Sequence, residues 1–470
     1  MENYEKLSLL SDLPIGEGKD ITSDGLGFSV YAQVLRNAIL STPGPFTIGI
    51  FGEWGTGKTS LLKMLQSDLT KTDDTNLISI WCNAWHYEKD EHPIIPLVGQ
   101  IIYELEKQKG FLASIGEAGE SLTRSLRAIV YGFSTRSKIQ LPGIAEIEAS
   151  FSAKDAIDRA EKTTSDPLIE KSLYHNAFEA LSSIKLGKDK KVIIIIDDLD
   201  RCFPDVAIKL LESIKLILSQ PGFIFIIGVS RSVIEGYLRN RYEKEYGVSG
   251  FNGGSYLDKI VQLPFYIPSH IGRMKKFSEM LLEKLDEDTA RALEEIIDIV
   301  GIACANNPRA TVRFINNLIV DHAISKILYT KSDVIEIGFF AITRSLQQNW
   351  KNVYDRLIKS DKYCQTIVSW KDDETLQKRI NDPDSDISSF AKTLLDDEAL
   401  RELLFSSAGR KWLSNERLRN GTIRFLLERR GGFCPNHGPY DGASCPYPAP
   451  HGDEREPASI PSLDLPPLKK

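Results

Sequence analysis

Apolar residues fall along the chain in two rhythms. Short unbroken runs bounded by turn residues occur at 46–51, 77–81, 192–196 and 223–231, with a last one inside 256–265. Such runs predict strands of a sheet covered on both faces. Between them, apolar residues recur three and four apart at 28–40, from 60 onward, over most of 94–187 and at 206–218, which predicts helices. Pro43-Gly44-Pro45 stops the first helix, and Gln220-Pro221-Gly222 ends the one at 206–218. From 274 to 328 and from 335 to 430 the pattern is helical throughout, with a loop at 381–386. The predicted class is α/β: a parallel sheet, then a helical lid and a helical C-terminal region.

The pattern divides the chain into an N-terminal segment and helix (1–44), a core (45–270) with a helical insertion (94–187), a lid (271–330), a helical region (331–430) and a tail (431–470). Trp350, Trp370 and Trp412 are expected as core anchors of the helical region. The insertion breaks around 134–150 and is expected to pack beside the sheet. Within the tail lie nine of the chain's 22 prolines, so no packed domain is expected there.

Composition changes this picture little. The chain has 470 residues, 42% hydrophobic and 26% charged, in the range of globular proteins built from several domains. Its net charge of −7 argues against a surface that coats nucleic acid, while leaving a local basic patch open. Six cysteines, four of them isolated, read as reduced thiols. The polar N-terminus has no signal-peptide shape, and no apolar run approaches the length of a membrane span. The expected location is therefore the cytoplasm.

The chemistry begins after the first strand. Gly52-Glu53-Trp54-Gly55-Thr56-Gly57-Lys58-Thr59, followed by Ser60, fits G-x-x-x-x-G-K-[ST] between a strand and a helix start. That context aims backbone N–H groups and the positive helix end at one anion-sized volume. Lys58 would reach the β- and γ-phosphates, and Thr59 would hold Mg²⁺. The run at 192–196 ends in Asp197-Asp198-Leu199-Asp200-Arg201. Asp197 is placed to hold Mg²⁺ opposite Thr59, and Asp198 to orient the attacking water. Asp200 and Arg201 have two readings: a mutual pair or turn support, or Arg201 facing the γ-phosphate of a neighbouring subunit. Ser230, at the tip of the 223–231 run, stands where a residue could sense the γ-phosphate. This motif order fits ATPases with an additional strand between the phosphate-loop strand and the acidic strand. No Asn-Lys-x-Asp guanine signature is present, which favours ATP over GTP.

Further along, Asn307-Pro308 opens a helix that places Arg309 and Arg313 on one face. An arginine there can close a lid on the γ-phosphate; the rival reading is a solvated basic face. In the tail, Cys434, His437, Cys445 and His451 form a sulfur and imidazole set suited to Zn²⁺, although Pro448 stands where a zinc ribbon would place another cysteine. The rival reading is a tail with incidental thiols.

Together, Phe51 to Thr59, Asn83-Ala84-Trp85-x-Tyr87, Asp197 to Cys202 and Asn307-Pro308-Arg309 resemble the KAP family of P-loop NTPases. Asp24-x-Leu26-Gly27-Phe28-x-x-Tyr31-Ala32 resembles the segment that opens the family's domain. The resemblance covers roughly residues 13 to 350. It implies an additional-strand ATPase core acting as a nucleotide switch or scaffold, and for bacterial members an association with phage exclusion. Protein partners or self-association, of unknown identity, go with that role. Two departures stand out. The membrane helices that many members insert before the acidic strand are missing, and the family's Asp-Arg at the fourth strand tip is Ser230-Arg231 here.

Overall fold

A computed structural model describes residues 7–14, 24–70, 76–90, 92–137, 181, 184–187, 189–217, 221–329, 334–370, 373–429, 433–434 and 438–439. The chain forms two compact units. One comprises Pro14–Pro268; the other comprises Met1–Leu13 together with Ser269–Lys470.

The first unit is built on a five-stranded parallel sheet. Its strands are β1 (Phe46–Phe51), β2 (Leu77–Asn83), β3 (Lys191–Asp197), β4 (Phe223–Val229) and β5 (Leu263–Tyr266), in the order β2-β3-β4-β1-β5. β4 therefore lies between the phosphate-loop strand β1 and the acidic strand β3, which is the additional strand that the motif order predicts. Every residue of β3 and of β4 is buried. Their β-branched and aromatic side chains suit a strand covered on both faces.

The last strand differs from expectation. Residues 253–257, Gly253–Leu257, form a short helix, and the strand begins only at Leu263. Asn252 caps that helix by accepting bonds from Gly254 N–H and Ser255 N–H, and this local bonding outcompetes the extended form. Pro264 lies inside β5, which is tolerated because β5 is an edge strand paired only with β1.

Helices cover the sheet. α1 (Phe28–Ser41) starts at the Asp24 carboxylate, which accepts from Phe28 N–H and Ser29 N–H, both at 2.8 Å. α1 packs on α2 (Lys58–Thr70). Lys191, at the start of β3, is buried and donates to the carbonyls of Ile39 and Leu40 in the last turn of α1, where the negative end of the helix favours a cation. The described part of the insertion is α3 (Ile94–Lys107), α4 (Lys109–Ile115) and α5 (Glu117–Ser137). Leu97, Val98, Ile101 and Leu105 of α3 join the sheet core, so this part packs beside the sheet. Of the break expected around 134–150, residues 134–137 are instead the last turn of α5, and 138–150 lie outside the described residues. Then come α6 (Pro204–Ile217), α7 (Arg231–Tyr246) and the short α8 (Gly253–Leu257).

The described secondary structure of the second unit is helical apart from one two-stranded pair. Its first helices are α9 (Met274–Leu282), α10 (Glu287–Glu294), α11 (Ile297–Ala303) and α12 (Pro308–Leu328), followed by α13 (Ile337–Asn349) and further helices to Arg429. Trp370 and Trp412 are fully buried anchors, with the Trp412 indole donating to Thr343 Oγ1 at 2.9 Å. Trp350 is only half-buried and bonds Asp397 instead. The pair, Phe433–Cys434 against Gly438–Pro439, is antiparallel.

Candidate functional site

The C-terminal ends of β1, β3 and β4 converge, as expected for the ligand side of an open parallel sheet. The loop after β1 needs its glycines. Gly55 has φ +84° and Gly57 φ +98°, and a Cβ on Gly57 would lie 2.6 Å from the Phe28 ring. The N-terminal helix therefore supports the loop through Phe28. Thr56 donates to Glu53 O at 2.7 Å and tightens the turn. Lys58 opens α2, is buried, and donates to Gly52 O at 2.8 Å and Glu53 O at 3.3 Å. Ser60 lies in the first turn of α2.

Asp197 ends β3 and is 1% exposed. Its side chain is hydrogen-bonded to Thr59, which brings together the two residues assigned to a metal. Burial first, and the neighbouring Asp198 second, push its carboxyl up to about 6. Asp197 Oδ1 is buried without a hydrogen-bond partner. Gly228 lies against that oxygen, and an added Cβ there would lie 2.8 Å from Oδ1. A carboxylate with an unpartnered oxygen, bonded to a threonine hydroxyl, is an oxygen set that fits a hard cation such as Mg²⁺. Thr59 and Asp197 would hold it, and the ion would neutralise phosphate charge.

Asp198 adopts a left-handed conformation, φ 59° and ψ 26°, which turns its side chain away from the strand path. Arg201 Nε lies 2.7 Å from its Oδ1, and Asn83 Nδ2 donates to its Oδ2 at 3.3 Å. Burial raises its pKa, and the Arg201 guanidinium works against that rise. The Arg201 guanidinium also lies 5.8 Å from the Trp85 ring centre. Of the two readings of Asp200 and Arg201, a mutual pair is not what forms. Arg201 pairs with Asp198, while Asp200 is buried and faces the phosphate loop. The short 3₁₀ turn Leu199–Arg201 separates them, sending one carboxylate inward and the guanidinium outward.

The sequence model of the KAP family P-loop domain matches residues 28–324, more than half of the chain. The chain belongs to the KAP family. It is 24% identical to the phage T7 exclusion protein of Escherichia coli K12 over 355 residues, which is 72% of this chain and 47% of that protein. It thus spans about half the length of that relative. An uncharacterized protein of Methanocaldococcus jannaschii, MJ0182, is 29% identical over 177 residues, 33% of this chain and 91% of the other. Among solved structures, Aeropyrum pernix ORC2 in ADPNP and ADP complexes aligns over 86% of this chain and 93% of its own, with 11% identity and TM-score 0.34. Drosophila ORC bound to DNA aligns over 91% of this chain and 89% of that chain, with 13% identity and TM-score 0.30.

The remaining sequence candidates of this KAP chain divide. Ser230 is fully buried at the tip of β4 and donates to Glu53 Oε2 at 3.2 Å, while Ser232 donates to Glu53 Oε1 at 2.9 Å. The phosphate loop is thereby tied to the strand tip through Glu53. In the second unit, Asn307 caps α12, and Arg309 and Arg313 share a face as the spacing predicts. Both lie against Asp12 of the N-terminal segment, at 3.9 and 3.2 Å. Asn316, one turn on, exchanges two hydrogen bonds of 2.8 Å with the backbone of Leu10. Of the tail set, His437, Cys445 and His451 lie outside the described residues, and Cys434 is described only as a strand residue. Among the described residues no group of three metal-ligating side chains comes together, and no helix is long and apolar enough to cross a membrane. The residue that sequence reasoning underrated is Asp200. Trp54 in the loop is the available signal: a buried acid three positions past Asp197 can meet an indole N–H that a small loop residue would not offer.

Proposed function

We propose that this KAP protein is an ATP-binding, ATP-hydrolysing switch. The observation that carries the reading is the buried pairing of Thr59 with Asp197, whose carboxylate feels the charge of Lys58 and has one oxygen without a hydrogen-bond partner. Lys58 and the loop amides of 52–60 would bind the phosphates. Thr59 and Asp197 would hold Mg²⁺, Asp198 would orient water, and Arg309 would read the γ-phosphate, with Arg313 and Ser230 as further sensors. The setting we infer is defence against phage, supported by the name of the E. coli relative. The cytoplasm is the matching location.

A second reading has its own support. Asp198 is held by both Arg201 and Asn83, an arrangement that suits a scaffold binding nucleotide with little turnover. Steady-state phosphate release, alone and with DNA or RNA, separates the readings. Under the first, Lys58→Ala abolishes ATP binding, and Asp198→Asn keeps binding but slows release at least tenfold. Equal rates for Asp198→Asn and wild type would remove Asp198 from the chemistry. Nucleic-acid stimulation that weakens steeply with salt would instead point to a nucleic-acid sensor. Mass in solution with ATP, ADP or neither tests self-association; an unchanged monomer removes any role for Arg201 across subunits.

A further inference from the structure

Asp200 has no part in the phosphate and metal arrangement above, yet it is 2% exposed and carries a carboxylate. Its Oδ2 collects three donors: Trp54 Nε1 at 2.8 Å, Ser230 N–H at 2.8 Å and Lys58 Nζ at 3.5 Å. These come from the middle of the phosphate loop, the tip of β4 and the first turn of α2. The Trp54 ring is 57% exposed, so its N–H turns inward while the ring stays at the surface.

An ammonium has three donors. Those of Lys58 face Gly52 O, Glu53 O and Asp200 Oδ2. Phosphate can reach Lys58 only by displacing one of these oxygens. Asp200 is the one carboxylate within ion-pair distance of Lys58 among the described residues. It is therefore the oxygen that competes most directly with an incoming anion.

We propose that Asp200 is a positioning residue that holds the Lys58 ammonium, and that Trp54 sets the strength of this hold by donating to the same oxygen. Phosphate and Asp200 then compete for Lys58. Two substitutions act in opposite directions. Asp200→Asn keeps an acceptor for Trp54 and Ser230 but removes the charge, which loosens Lys58. Trp54→Phe keeps a ring but removes the N–H donor, which leaves Oδ2 more fully committed to Lys58. A merely architectural bond predicts the same sign for both, because both break or weaken the same contact.

The proposal rests on the reading of 52–60 as a nucleotide site, so its test has one readout that needs no nucleotide. Acetylation of Lys58 by acetic anhydride is followed by peptide mass spectrometry in folded, nucleotide-free protein, relative to exposed Lys244. Asp200→Asn is expected to speed it and Trp54→Phe to slow it. The second readout is ADP affinity by calorimetry with Mg²⁺. Asp200→Asn is expected to tighten ADP about three- to tenfold and Trp54→Phe to weaken it about two- to fivefold, a tenfold change being about 1.4 kcal/mol. Changes of the same sign in the two variants, or no change at Lys58, overturn the proposal. Should wild type bind no ADP, the nucleotide reading fails while the acetylation order still decides this one. If Asp200→Asn does not fold, Trp54→Phe alone decides: slower acetylation supports the hold, unchanged or faster acetylation overturns it.

Discussion

Replacing Asp197 with asparagine is expected to stabilise the ligand-free protein, although it removes the carboxylate proposed to hold magnesium. The carboxyl is 1% exposed, and burial raises its pKa from 3.8 to about 6. An acid with a raised native pKa binds its proton more tightly when folded, so its ionised form opposes folding. That cost is absent below 3.8, grows between 3.8 and about 6, and is complete above about 6. The gap from 3.8 to about 6, at about 1.4 kcal/mol per pH unit, sets it at about 3 kcal/mol. The amide has its own cost, because its NH₂ would occupy the partnerless position of Oδ1, roughly 1–3 kcal/mol. The net gain is then about 1 kcal/mol near pH 7.5, or about 2–4 °C in the melting of a unit this size. Scanning calorimetry of both proteins from pH 4 to 8, in EDTA and without nucleotide, measures it. The gain should narrow as pH falls below 6 and reverse near pH 4, where the wild-type carboxyl is neutral in the native state. A difference that does not depend on pH would refute the reasoning, because it would show that the carboxylate is not held in a desolvated site.

Three further outcomes follow from the same geometry. Arg201→Gln removes the guanidinium that lowers the raised pKa of Asp198, so the acidic limb of the turnover profile is expected to move to higher pH; a limb that stays put removes Asp198 as the titrating base. Gly228→Ala drives a Cβ to 2.6 Å from Leu62 Cδ1 and 2.8 Å from Asp197 Oδ1, and is expected to abolish Mg²⁺-dependent nucleotide affinity while leaving Mg²⁺-free affinity within about threefold, read by calorimetry. Lys191→Met strips the Ile39 and Leu40 carbonyls of their donor and is expected to cost about 1–3 kcal/mol in chemical denaturation, with intact α1 helicity in the native state.

The sheet was legible because its central strands are covered on both faces. Ile193 to Ile196 and Phe223 to Ile227 can satisfy their side chains only inside a sheet with helices on both sides, so unbroken apolarity decided their class. The edge was not legible in the same way. β5 alternates half-buried and exposed residues and buries none of them fully, and Leu263-Pro264-Phe265-Tyr266 has neither a long apolar run nor a clean end. What precedes it is decided by Asn252, whose cap bonds make a helix of residues that look strand-like. Trp350 shows a related limit. A tryptophan is apolar enough to predict burial, but its N–H found Asp397 near the surface while Trp412 found Thr343 in the core.

The site was legible where spacing alone carries the chemistry. The loop and the aspartate that ends β3 need only a strand end and a helix start, and both are written in consecutive residues. Beyond Asp197 the chain turns within one 3₁₀ step, and the direction of each side chain is then set by single dihedral angles. The left-handed Asp198 and the turn after it send Asp198 to Arg201 and Asn83, and Asp200 to Lys58 and Trp54. Alternation along a strand would have put Asp198 and Asp200 on the same side and invited a single role for both. The turn separates them instead. One acid faces the half-exposed Arg201, where it can meet water; the other is sealed against the lysine of the phosphate loop. On the proposed reading, that separation lets one strand end orient a nucleophile through Asp198 and restrain the Lys58 ammonium through Asp200, each carboxylate bonded to different side chains.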